Sequence, residues 1–162
     1  MLTGDALMMY AFETAANAFE TSIDPDELSR IGRAMGILAR KTGVYGMIGG
    51  QTVDVELAGG PIPGDKLEFI YRLKTGALIE ASMLIGAVLG GAAEEDCKIV
   101  ESLAAKIGMA FQIQDDILDV TGSQDVTGKP SGSDEKNKKT TYVTLEGLDK
   151  AKKDVEQIST EA

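Results

Sequence analysis

Gly108-Met109-Ala110-Phe111-Gln112-Ile113-Gln114-Asp115-Asp116-Ile117-Leu118-Asp119-Val120 sets its polar residues at helical spacing. Positions three and four apart share one face of an α-helix. Gln112, Asp115, Asp116 and Asp119 stand at i, i+3, i+4 and i+7, a polar stripe with no cation interleaved. Around it are Ile107, Met109, Ala110, Phe111, Ile113, Ile117, Leu118 and Val120. A helix apolar on most sides is normally buried, so the stripe is expected to face an internal cavity. Three crowded carboxylates repel one another unless a cation neutralises them. Carboxylate oxygens suit hard ions, and Mg²⁺ typically takes one or two carboxylates and completes its shell with phosphates and water. The stripe therefore reads as a holder of Mg²⁺ against a phosphorylated ligand. The competing reading is a solvated acidic face, but such faces mix Lys with Glu and this one has no lysine.

Composition narrows the chemistry. With 162 residues, 43% of them hydrophobic, the chain is one globular domain's worth and can bury a core. Its net charge of −10 argues against a nucleic-acid or anionic-membrane surface, either of which needs a basic patch. The chain has no His. That excludes His acid/base catalysis, Ser-His-Asp triads and His-ligated zinc. A single cysteine, Cys97, cannot close an internal disulfide and fits a reducing, cytoplasmic setting. The first residues lack the basic and apolar regions of a secretory signal. Thr75 to Ala93 is apolar or small apart from Glu80 and Ser82. Glu80 and the glycines 76, 86, 90 and 91 argue for a buried core helix rather than a membrane span.

Outward from the acidic helix, the pattern is helical throughout. Leu2, Ala6, Met9, Phe12, Ala16 and Phe19 keep one apolar face over residues 2–19. Asp24-Pro25-Asp26-Glu27 is a helix start, with Asp24 as cap, Pro25 at the first position and Glu27 closing a capping box. That helix ends near Gly43. Val44 to Glu56 is glycine-rich, which costs helix stability but suits close approach of a backbone or ligand. Gln51 and Asp54, three apart, point the same way there. Gly59 to Gly64 is a loop. A helix is expected through Leu67, Ile70 and Tyr71 to Lys74-Thr75-Gly76, followed by the apolar segment to Gly91. Lys74 is either a snorkelling cation or a phosphate contact. Glu94 to Val120 is the long acidic helix, and Thr121 to Ser133 reads as a flexible, glycine-rich loop carrying Lys129. Lys136, Lys138 and Lys139 follow in a charged stretch. Two short helices split near Gly147 end the chain, the last, Ala151 to Glu161, with only Val155 and Ile158 as a thin, loosely packed face. No alternating run is long enough for a strand, so the fold class is all-α.

Four motifs occur in order: Gly49-Gly50-Gln51-Thr52-Val53-Asp54, Lys74-Thr75-Gly76-Ala77, Phe111-Gln112-Ile113-Gln114-Asp115-Asp116-Ile117-Leu118-Asp119, and Gly128-Lys129. With them, residues 1–162 resemble the C-terminal half of a bacterial short-chain trans-polyprenyl diphosphate synthase of the farnesyl (geranyltranstransferase) type. The resemblance implies one all-α isoprenoid-synthase helical bundle and electrophilic chain elongation. An allylic diphosphate ionises with help from Mg²⁺, and isopentenyl diphosphate attacks the cation. It also implies roles. Asp115 would be the metal ligand, supported by Asp116 and Asp119. Lys74, Lys129 and Lys139 would contact the allylic diphosphate. Thr75 and Gln112 would line that site, with Gln51 and Asp54 near the pocket. Catalysis would rest on Lys74, Asp115 and Lys129.

The departures from the family carry expectations too. The first aspartate-rich motif, the basic residues that hold isopentenyl diphosphate and the final helices are missing, so the chain is expected to be a fragment and inactive alone. The longer protein is expected to be a homodimer. A non-catalytic helical subunit of the same fold is the alternative. A terpene cyclase ranks lower, because such enzymes typically carry an Asn/Ser/Glu metal motif where this chain has Asp115-Asp116-Ile117-Leu118-Asp119.

Overall fold

The computed structural model describes residues 2–122 and 139–162. Among them every regular element is helical. In order these are α1 (Leu2–Ala16), α2 (Ala18–Thr21), α3 (Pro25–Thr42), α4 (Met47–Glu56) and α5 (Gly64–Ile70). A π-helical turn (Tyr71–Gly76), α6 (Ala77–Leu89), α7 (Glu94–Thr121), α8 (Tyr142–Glu146) and α9 (Leu148–Glu161) follow. The long α7 is the axis: α6, the π-turn and α9 pack on it, α3 lies on α6, and α4 lies on the π-turn.

The start of α3 follows the sequence with one substitution of partners. The Asp24 carboxylate accepts the Asp26 and Glu27 N–H groups at 2.8 and 3.1 Å, satisfying two orphan donors of the first turn. Those two amides, Glu27's first, hold the Asp24 carboxyl below its ordinary value. Glu27 was expected to reach back to the Asp24 amide. Instead Glu27 accepts from the Ser22 hydroxyl at 2.5 Å, and that hydroxyl accepts the Asp24 N–H at 3.3 Å. Ser22, only 8% exposed, relays the box.

Where the helix expected up to Gly76 meets the apolar segment, the structure has a π-turn, Tyr71–Gly76. Its surroundings give the reason. A Cβ on Gly50 of α4 would stand 2.3 Å from the Lys74 amide nitrogen. A Cβ on Gly108 of α7 would stand 2.9 Å from the Gly76 Cα. The widened turn is therefore gripped between two glycine backbones, an approach that no side chain at either position would permit. π-Turns are rare and gather at functional sites.

α6 buries Ala77, Ala81, Leu84 and Val88, as expected of a core helix. Among the described residues no helix is long and apolar enough to cross a membrane. Glu80, 8% exposed, is neutralised by the Lys41 ammonium, which also lies 3.0 Å from Glu101.

Two expectations fail. α9 is not a loose appendage. It begins at Leu148, directly after Gly147 at φ +85°. Its Ala151 is fully buried against Ile113 and Ile117, with Leu148, Val155 and Ile158 around them. Nor is α7 buried all round. Ile107, Phe111, Leu118 and Val120 are 38–57% exposed, because α6, the π-turn and α9 cover only part of its circumference.

Candidate functional site

α7 and the π-turn meet at two points. Gly108 abuts Gly76, and two turns along α7 the Asp116 carboxylate accepts the Tyr71 hydroxyl. Gln112 lies between these points on α7. Lys74 and Thr75 lie between them on the π-turn. The packing thus sets the turn that carries Lys74 and Thr75 against the stretch of α7 that carries Gln112 and Asp116, along one seam.

α4 joins from the other side of the turn. Gly50 admits the Lys74 backbone, and Asp54, one helical turn on, places Oδ2 2.6 Å from Lys74 Nζ. Lys74 is therefore not a bare cation: its ammonium is paired with a half-buried carboxylate of α4. Gln51, one turn before Asp54 on α4, is exposed.

The carboxylate stripe divides. Adjacent residues on a helix are separated by about 100° around the axis, so Asp115 and Asp116 cannot face the same way. Asp115 is exposed and Asp119 half-buried, whereas Asp116 is 6% exposed. Asp116 Oδ2 accepts the Tyr71 hydroxyl and, at 2.8 Å, the Tyr142 N–H. The stripe expected to face one internal cavity instead spans surface and interior. No group of three or more acidic side chains gathers closely enough among the described residues to hold a metal by itself. The donor set does fit Mg²⁺ held in the ordinary way for phosphate chemistry. Asp115 and Asp119, one turn apart, would supply one or two carboxylates, and a ligand's phosphates and water would complete the shell.

The chain returning at residues 139–142 closes the end of the seam. Thr140 Oγ1 accepts the Ile62 N–H at 3.1 Å, and Tyr142 binds Asp116. Lys139 is exposed just before this junction. Lys129, and the loop expected from residue 121 onward, lie outside the described residues from position 123. Beside the junction, a cleft of about 300 Å³ opens between Leu67, Tyr71, Met109, Ile113, Tyr142 and Ile158. Burial, together with the hydrogen bond from the Tyr142 hydroxyl to Asp154 at 2.6 Å, raises that phenol above its ordinary value.

Tyr71 and Tyr142 were not picked out by sequence reading, which took Tyr71 as one more apolar helix position. The available signal was chemical: a buried tyrosine hydroxyl requires a partner, and Asp116 was the candidate on the neighbouring helix.

Comparison with known proteins places these observations. The polyprenyl synthetase family model matches residues 1–162. The farnesyl diphosphate synthase of Geobacillus stearothermophilus is 40% identical across 94% of this chain and 50% of its own length. The chloroplastic heterodimeric geranylgeranyl pyrophosphate synthase large subunit 1 of Arabidopsis thaliana is 41% identical across 100% of this chain and 44% of its own length. A solved geranyltransferase of Helicobacter pylori, complexed with magnesium and isoprenyl diphosphate, superposes with a TM-score of 0.84. It is 34% identical and matches 99% of this chain and 50% of that one. The chain spans about half the length of the relatives it matches.

Proposed function

The chain belongs to the polyprenyl synthetase family, and from that premise we propose that it forms the allylic-diphosphate side of a farnesyl-type prenyltransferase site. The observation that carries the reading is the seam itself: Lys74, tethered to Asp54, lies on a π-turn packed against the helix that presents Asp115 and Asp119.

Each residue has a physical part. Lys74 offers a compact positive charge to a diphosphate oxygen, exchanging its contact with Asp54 for one with the ligand. Thr75 and Gln112 lie on the same seam and can donate hydrogen bonds to the same group. Asp115 and Asp119 supply carboxylate oxygens for Mg²⁺, which when bound contributes positive charge at the leaving diphosphate. Lys139 stands at the end of the seam, and Lys129 belongs to the same set by resemblance. The C–O bond to the diphosphate breaks, the double bond of isopentenyl diphosphate forms the new C–C bond, and the departing diphosphate takes the proton whose loss restores the alkene. This chemistry rests on stabilising charge at the departing group, which suits a chain without histidine. The longer protein is read as a homodimer.

The test is incorporation of labelled isopentenyl diphosphate by the natural polypeptide that contains these residues, with Mg²⁺ and either geranyl or farnesyl diphosphate. Products of fifteen carbons support the farnesyl type, and twenty-carbon products reassign it to the geranylgeranyl type. Full activity in Lys74→Ala would sink the site.

A further inference from the structure

Asp116 and Tyr71 make an arrangement that metal holding does not explain. Tyr71 is 4% exposed and Asp116 6% exposed. The Asp116 Oδ2 accepts the Tyr71 hydroxyl and the Tyr142 N–H together, and the Tyr142 N–H also lies 3.3 Å from the Tyr71 hydroxyl oxygen. Three elements meet at one oxygen: the π-turn, α7 and the first residue of α8. Hydrogen bonds to a charged acceptor in the interior are stronger than neutral ones, and leaving such an acceptor unmet is unfavourable. The same Tyr71 ring packs with Ile62, Leu67 and Ile70 and against Met109 and Tyr142, so it has little freedom to turn away.

We propose that Tyr71 is a positioning residue of the site. Its hydroxyl and the Asp116 carboxylate form a buried clasp that locks the turn carrying Lys74 to the first residue of α8, and Asp116 serves there as an anchor. Lys74 is three residues from Tyr71 within the same short turn, so the seat of the ammonium depends on where the clasp holds that turn. The clasp also fixes the chain where it returns from the segment after α7. Diphosphate affinity is thereby tied to a hydroxyl that does not touch the ligand, an inference that rests on the diphosphate reading above.

The experiment uses the natural polypeptide with Tyr71→Phe, Asp116→Ala, Asp116→Asn and, as an exposed control, Tyr10→Phe. Amide exchange over residues 142–146 is measured without ligand, and the affinity for inorganic pyrophosphate with Mg²⁺ is measured by calorimetry. Tyr71→Phe and Asp116→Ala are each expected to speed exchange at residues 142–146 about tenfold and to weaken pyrophosphate binding several-fold. The double variant should be no worse than either single one. Asp116→Asn keeps an oxygen for both donors and should retain most of the protection. Unchanged exchange in Tyr71→Phe, or lost protection with unchanged affinity, would overturn the clasp as a positioning device. Weaker affinity in Asp116→Ala with unchanged exchange would make Asp116 a ligand instead. Failure of the parent protein to bind pyrophosphate would overturn the functional reading itself, and the positioning role with it.

Discussion

Lys41 shows what a single half-buried charge does in this bundle. Its ammonium joins α3 to Glu80 of α6 and Glu101 of α7. Burial opposes the charge, but the hydrogen bonds to Glu80 and then Glu101 outweigh it and hold the group above the ordinary lysine value. A raised value means that the stabilisation is complete below pH 10.5 and fades as pH rises through the shifted value. Lys41→Met should therefore destabilise the protein at neutral pH by roughly 1–3 kcal/mol, because Glu80 is left desolvated without a partner. The difference from wild type should shrink above pH 10.5. Urea unfolding at pH 7 and at pH 11 would check both, and a constant difference would contradict the assignment. Asp54 offers a second residue-scale test. If it competes with diphosphate for Lys74, Asp54→Asn should tighten pyrophosphate binding about two- to fivefold, the span of an ion pair worth up to about 1 kcal/mol. Weaker binding would instead show that Asp54 aligns the lysine.

At the scale of elements, the π-turn stands or falls with two glycines. Gly50→Ala would drive a methyl to 2.3 Å from the Lys74 amide, and Gly108→Ala would drive one to 2.9 Å from the Gly76 Cα. Both neighbours are backbone and cannot swing aside. Overpacking of this kind costs about 1–3 kcal/mol or more, and Gly50→Ala should be the worse, since its clash is the tighter. Gly4→Ala, which meets nothing within 4 Å, should be neutral or slightly stabilising. Denaturant midpoints of the three variants decide the order. Equal midpoints for Gly50→Ala and Gly4→Ala would mean that the turn can relax.

At the scale of the molecule, the apolar surface left uncovered among the described residues is the main consequence. α1 buries none of its residues, and Leu2, Leu7, Met9 and Tyr10 are 64–84% exposed. Along α7 a groove of about 460 Å³ runs between Leu103, Ile107, Phe111 and Val155. Exposed apolar surface on α1 and along this groove promotes association. The 162-residue chain expressed alone should self-associate, and sedimentation velocity giving a clean monomer would refute this. Since its relatives are about twice as long, the chain alone is also expected to condense isopentenyl diphosphate at least about 100-fold more slowly than a longer natural polypeptide, the effect of losing even one preorganised charge stabiliser. Comparable rates would show that one side of the site suffices.

Periodicity alone determined the all-α class, the starts of α3 and α7, and the acidic stripe, because helical spacing and capping are local properties of neighbouring residues. The order of the four motifs added the family, and with it the expectation that Lys74 and Asp115 belong to the site. Tertiary packing decided the rest. The sequence treats Asp115 and Asp116 alike, but the helix turns through about 100° between them, so one meets solvent and the other meets Tyr71. Tyr71 to Gly76 reads as ordinary helix, since nothing local reveals that Gly50 and Gly108 will press on the turn from both sides. Lys74 reads as a lone cation, and only the approach of α4 supplies Asp54. Glu80 reads as an apolar helix's flaw, and only α3 brings Lys41 to it. In each case the deciding partner is distant along the chain, and its distance and direction are fixed by packing rather than by spacing.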